Sequence, residues 1–229
     1  MPAAIDERHA AQGSARLAMI ELFDEAACED WVLRVLLLRR HWRPRHPRAP
    51  FFTLGLAAYL DWGTAAGASA YRDEALRRAN NALIDAHFSP LLARVAAALG
   101  AHFGLPTRFT DEAARPGFHI YLPYPAFGLP VASVHRDLQY RDVFARLSPS
   151  DDDLFSFTLA LSTPPGSGLS LWSRGAGEPE RIAYRSGTLV LHDGLLKHQA
   201  VLACNGELER ITLQGHGIRT PEREILIYW

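Results

Sequence analysis

An α+β fold, with its helices first and its strands last, is what this 229-residue chain predicts. Three observations carry that expectation. Apolar residues recur at helical spacing up to about residue 110, the period switches to two at Gly117, and turn signals then come at short, regular intervals. The length fits one domain, 1–229. Residues 14–110 would form a mainly helical support and 117–229 a sandwich or barrel of short strands. Residues 1–13, polar and Ala-rich, would form a disordered tail.

The elements can be justified in order. Residues 17–23 are a short apolar segment that suits a strand, and Asp24 suits the N-cap of a helix. Ala27, Trp31, Val35 and Leu38 sit on one helical face, so that helix runs to about Arg40, and Pro44, Pro47 and Pro50 prevent its continuation. A second helix is expected over 71–87, with Leu76, Ala79, Leu83 and Ala86 inward and a Glu74–Arg78 pair outside. Ser89-Pro90 reads as the start of a third, 91–103, closed by Gly104 and Pro106. Beyond Gly117, Phe118, Ile120 and Leu122 alternate with His119 and Tyr121, and Phe155, Phe157, Leu159 and Leu161 with Ser156, Thr158 and Ala160. Short strands are expected at 169–172 and 181–184, joined by a turn over 175–179, and at 188–192, 198–202, 208–215 and 225–229.

Bulk chemistry narrows the function classes. A formal charge of −1 gives no basic field for nucleic acid. Two cysteines, Cys28 and Cys204, make neither a disulfide framework nor a multi-cysteine metal site, and suit a reducing cytoplasm. No uninterrupted apolar run approaches the roughly 20 residues that span a bilayer, so no membrane partner is expected.

The chemistry gathers at His135-Arg136-Asp137. Two residues apart at the end of a strand, His135 and Asp137 face one side while Arg136 faces the other. With His198 they complete a two-histidine, one-carboxylate set, the donor pattern that binds Fe(II) and leaves coordination positions open. Arg210, twelve residues after His198, can grip a carboxylate with two parallel hydrogen bonds. Thr212 shares its strand face.

This order, His-x-Asp, a distal His, then Arg210-Ile211-Thr212, resembles the Fe(II)/2-oxoglutarate-dependent oxygenases over roughly residues 117–216. The stretch Gly187-Thr188-Leu189-Val190-Leu191-His192-Asp193-Gly194 resembles the strand and turn that precede the family's distal ligand. The resemblance implies a double-stranded β-helix, a jelly-roll barrel with the N-terminal helices packed on one sheet. It implies His135, Asp137 and His198 as catalytic iron ligands and Arg210, helped by Thr212, on the distal carboxylate of 2-oxoglutarate. With O2, the cosubstrate would be decarboxylated to succinate while a substrate C–H is hydroxylated. Related halogenases carry Gly or Ala where Asp137 stands, so the carboxylate argues for hydroxylation or desaturation.

The resemblance also resolves Asn205-Gly206. Read locally, it is a two-residue hairpin turn that pairs His198 with Leu213 and sets Arg210 opposite His198. In a jelly roll the two strands belong to opposite sheets and both side chains point inward, which forbids a ladder between them.

Further site expectations are secondary. Tyr121 and His119 would touch cosubstrate or substrate, or else sit at a sheet rim. Gln139, by parity with His135 and Asp137, would face the substrate, and Trp172 would wall its site. His192 and His216 compete as ligands and rank below His198. Arg39, Arg40, Arg43, Arg45 and Arg48, crowded with His41, Trp42 and His46, read as a solvated linker, with recruitment of an anionic substrate or a carrier-bound phosphopantetheine as the alternative. Gly166-Ser167-Gly168 lacks the setting and lysine of a phosphate loop and reads as a β-turn. The substrate is expected to be small, a free amino acid or biosynthetic intermediate. A peptidyl or carrier-bound residue and a non-catalytic metal-binding barrel are the alternatives, and oligomeric state is not legible.

Overall fold

The computed structural model describes residues 17–63, 69–174 and 177–229. The expected 1–13 tail and the first two residues of the 175–179 turn lie outside them. In order, the chain forms β1 (Ala18–Glu21), α1 (Glu25–Leu37), β2 (Arg43–Pro44), β3 (Phe51–Leu54), α2 (Ala58–Asp61), α3 (Glu74–Phe103), β4 (Thr107–Phe109) and β5 (Gly117–Tyr121). Then come α4 (Tyr140–Val143), β6 (Leu154–Ser162), β7 (Gly168–Leu171), β8 (Glu180–Ala183), β9 (Thr188–His192), β10 (His198–Val201), β11 (Arg210–Arg219) and β12 (Ile225–Tyr228).

Local signals fix several ends. The Asp24 carboxylate accepts from the Ala27 N–H at 2.9 Å, as an N-cap should. Gly104 ends α3 at φ 66°, a left-handed conformation that favours glycine. The α3 region departs from expectation. One 30-residue helix replaces the two, with Pro90 inside it and Ser89 Oγ bonded back to the Asp85 carbonyl. An interior proline costs about 3 kcal/mol. Phe88, Leu91, Leu92 and Val95, which straddle it, are all buried in the main core, each at about 1.5–3 kcal/mol, so packing overrides the break. The inward face is therefore Ile84, Phe88, Leu91 and Val95, while Ala79 and Ala86 are exposed. Tyr71 lies ahead of the helix, its hydroxyl bonded to the Trp229 carbonyl at 2.6 Å. Joining the segments also makes α3 long and apolar enough, by length and composition, to cross a bilayer. Its apolar side is instead packed on the sheet.

A nine-stranded sheet runs β1-β9-β6-β11-β5-β3-β2, with β12 beside β11 and β4 beside β12. A three-stranded sheet runs β10-β7-β8. β11 is the spine of the larger sheet: β6 occupies one edge, and β5 then β12 the other. One face of this sheet presents Phe118, Ile120, Phe155, Phe157, Leu159, Ile211 and Leu213 to α1 and α3. The other meets the small sheet, where Ala160, Val190, Leu169, Leu171 and Ile182 form a second core. Strands β10 and β11 lie in different sheets, so Asn205-Gly206 makes no hairpin ladder. β10 pairs with β7, and β11 lies between β5 and β6.

Candidate metal centre

The face of β11 opposite its apolar residues carries Arg210, Thr212, Gln214 and His216. Cross-strand partners extend it: Tyr121 lies opposite Arg210, His119 opposite Thr212, Thr158 opposite Gln214 and Ser156 opposite His216. Two-residue periodicity thus makes a polar inner wall from the same strands whose other faces form the core. This wall and the small sheet enclose a cavity of about 730 Å³.

Residues 133–137 carry two of the candidate ligands, His135 and Asp137. They form an extended segment that touches β10 at one bridge, rather than the end of a regular strand. His135 and His198 exchange both backbone bonds, at 3.0 and 2.9 Å, which brings their rings within 4.4 Å. The Asp137 N–H donates to the Gly194 carbonyl at 2.8 Å. One ligand atom from each of His135, Asp137 and His198 lies within 4.8 Å of the others. His135 Nδ1 bonds the Ser133 carbonyl at 3.0 Å and His198 Nδ1 the Leu196 carbonyl at 2.9 Å. A carbonyl only accepts, so Nδ1 carries the proton on both rings and Nε2 is left with a free lone pair. Those Nε2 atoms stand 3.7 and 3.4 Å from the Asp137 carboxylate. The donor set and its convergence fit a divalent iron, which His135, Asp137 and His198 would hold.

A shell of polar side chains holds the carboxylate. Ser156 Oγ donates to Asp137 Oδ2 at 2.5 Å and accepts from His216 Nδ1 at 3.0 Å. Burial alone would raise the Asp137 pKa. The surrounding His216, His198 and His135 rings and the Ser156 bond outweigh it and hold the group well below the usual carboxylate range. Burial lowers the His216 pKa, and burial with nearby His198 takes His192 down to about 3. His119 is lowered by burial and then by Arg210, and its Nε2 is hydrogen-bonded to the Tyr59 hydroxyl.

Arg210 is fully buried, and Nε, Nη1 and Nη2 all lack a hydrogen-bond partner among the described residues, as does the Thr212 hydroxyl. The guanidinium carbon lies 5.7 Å from the Tyr121 ring and 5.4 Å from the Tyr184 ring, both walls of the cavity. A planar fork of five donors has the geometry to receive a carboxylate.

Other expectations fall differently. Tyr121 and His119 line the cavity. Gln139 does not; it starts the turn into α4, and its amide reaches Asp137 Oδ1 at 3.4 Å. Trp172 lies past the end of β7, half-buried and off the cavity, because the strand ends at Leu171. His192 and His216 flank the ligand set, with the His192 ring 4.7 Å from that of His198. The arginine-rich segment is not a uniform solvated linker: Arg45 makes a bidentate bond to buried Asp61 at 2.7 and 2.6 Å. Ser156 was legible only as an inward position of an alternating strand. Tyr59, on the unexpected α2, carried no sequence signal.

No family model and no curated protein matches the chain. Solved structures do. An N-substituted L-amino acid dioxygenase from Burkholderia ambifaria, in complex with alpha-ketoglutarate, aligns with a TM-score of 0.57 at 12% identity, covering 93% of this chain and 86% of that one. The non-heme alpha-ketoglutarate-dependent epimerase SnoN, from nogalamycin biosynthesis, aligns with a TM-score of 0.52 at 13% identity, covering 89% and 80%. At such identities the likeness is one of fold, the double-stranded β-helix with helices packed on one sheet.

Proposed function

We propose that this chain is an Fe(II)/2-oxoglutarate-dependent oxygenase that hydroxylates an unactivated C–H of a small molecule, such as a free amino acid or a biosynthetic intermediate. The observation that carries the reading is Arg210, a buried guanidinium without a protein partner, on the same sheet face as His216 and Ser156, which hold Asp137. A barrel that only bound metal would have no use for it, since an unpaired buried charge is costly.

His135, Asp137 and His198 would hold the iron, and Arg210 with Thr212 the distal carboxylate of 2-oxoglutarate. Bound together with O2, iron and 2-oxoglutarate supply oxidising power at the cost of decarboxylation to succinate. The residues of the chain do the positioning. Ser156 fixes the Asp137 rotamer through Oδ2, and the two backbone carbonyls fix both imidazole tautomers. Phe51, Tyr121 and Phe127 give the cavity an aromatic wall. Asp137, where halogenases carry a small residue, supports hydroxylation.

A cavity of about 730 Å³ lies within the usual range for small-ligand sites and supports a small substrate over a peptidyl one. The dioxygenase of similar fold, which acts on N-substituted L-amino acids, supports the same choice. Both cysteines are free and buried, in keeping with a reducing cytoplasm. The test is succinate release from 2-oxoglutarate by the Fe(II)-loaded protein with ascorbate and a panel of amino acids. A visible charge-transfer band on anaerobic mixing of Fe(II) and 2-oxoglutarate is expected beside it. Turnover that ignores 2-oxoglutarate, or survives His135→Ala or Asp137→Ala, would exclude the mechanism.

A further inference from the structure

Arg210, which the cosubstrate reading uses, lies behind the cavity wall, against the Tyr121 and Tyr184 rings that line it. Among the described residues, the cavity wall carries a formal charge at Asp137 and Arg48 alone. Arg48 is exposed and pairs with no carboxylate of the described residues. Its position is nevertheless built. It sits on the turn between β2 and β3, closed by the Arg45 N–H on the Phe51 carbonyl at 2.9 Å. His46 Nδ1 accepts the backbone N–H groups of Arg48 and Ala49, at 3.2 and 2.9 Å. The turn is anchored below by Arg45, which grips Asp61 with two bonds and Thr53 Oγ1 with a third at 2.7 Å. Asp61 also caps the Ala57 N–H at 2.9 Å, which fixes the helix that carries Tyr59 over the cavity. The wall beneath Arg48 is aromatic: Phe51 stacks on Tyr121 with centroids 4.4 Å apart, and Phe127 meets Tyr121 edge-on at 5.3 Å.

We infer that Arg48 is a specificity-determining residue that binds the carboxylate of the primary substrate, whose apolar body lies against Phe51, Phe127 and Tyr59. The inference rests on the oxygenase reading and narrows its substrate to hydrophobic carboxylates. Arg48 is the one guanidinium on the cavity wall among the described residues. One positive charge balances a carboxylate, whereas a phosphate dianion would stay undercompensated. A planar carboxylate also matches the guanidinium fork.

The test uses the full chain, loaded anaerobically with Fe(II) and 2-oxoglutarate, and calorimetric titration with 3-phenylpropanoate, 3-phenylpropanamide and 2-phenylethylphosphonate. The carboxylate should bind about tenfold or more tightly than the amide, the scale of one hydrogen-bonded charge. Arg48→Ala should bring that ratio near one and leave 2-oxoglutarate affinity within about twofold; Arg48→Lys should keep part of the preference. Because Arg48 is exposed, neither change threatens folding. Equal binding of acid and amide by the unsubstituted protein, a preference that survives Arg48→Ala, or tighter binding of the phosphonate would overturn the inference. If 2-oxoglutarate fails to bind while the Arg48-dependent preference persists without it, the oxygenase reading falls and this one stands.

Discussion

Replacing Arg210 with methionine should stabilise the unliganded protein and remove its response to 2-oxoglutarate. The side chain is fully buried, and three guanidinium nitrogens lack protein partners. A buried polar group left unsatisfied costs about 1–3 kcal/mol. The cation–π contacts with Tyr121 and Tyr184 return part of that, on the order of 0.5–2 kcal/mol. Methionine fills similar volume without charge, so a net gain of about 1 kcal/mol is expected, or about 2–4 °C in Tm for a chain of this size. With Fe(II) and 2-oxoglutarate at a hundredfold over Kd, the unsubstituted protein gains about 2.7 kcal/mol and the variant almost nothing. The two melting curves should therefore cross: Arg210→Met melts higher alone and lower with cosubstrate. Anaerobic thermal denaturation followed by circular dichroism reads both. A variant that melts lower alone and still rises with 2-oxoglutarate would refute the assignment of Arg210 as a strained carboxylate receptor.

Ser156→Ala should weaken iron binding about 10–100-fold by freeing the Asp137 rotamer, read by competition with a chelator; unchanged affinity would remove Ser156 from the site. Pro90→Ala should raise stability by up to about 3 kcal/mol in urea denaturation, since the helix already continues through it and regains a backbone donor; a loss would mean the proline fits its surroundings better than alanine. Cys28 is pushed up to about 11, first by burial and then by Asp24 and Glu25. A raised thiol pKa stabilises the fold below the ordinary value of 9.0 and loses that contribution as pH rises through about 11. At pH 8 the native thiol should label about a hundredfold more slowly than the unfolded one, and equal rates would contradict its burial.

Some of this protein was written in its residues one by one. The alternation of Phe155, Phe157, Leu159 and Leu161 with Ser156, Thr158 and Ala160 fixed both faces of β6, because side-chain direction in a strand is a local property. The Asp24 cap and the Gly104 stop were equally local. The order His135, Asp137, His198, Arg210 and Thr212 was legible as a string of residues, and the first three converge in space. What the tertiary structure alone decided were the outcomes in which local and distant forces disagree. Pro90 stayed inside a helix because Phe88 and Leu91 are buried together. Asn205-Gly206 yielded no hairpin because β10 and β11 pair with other strands in different sheets. The triad closed through a backbone pair between His135 and His198, sixty-three positions apart in sequence, and Arg48 came to the cavity mouth through an ion pair between Arg45 and Asp61. Such contacts depend on which surfaces the whole chain can bury at once, a sum over the fold that no window of sequence contains.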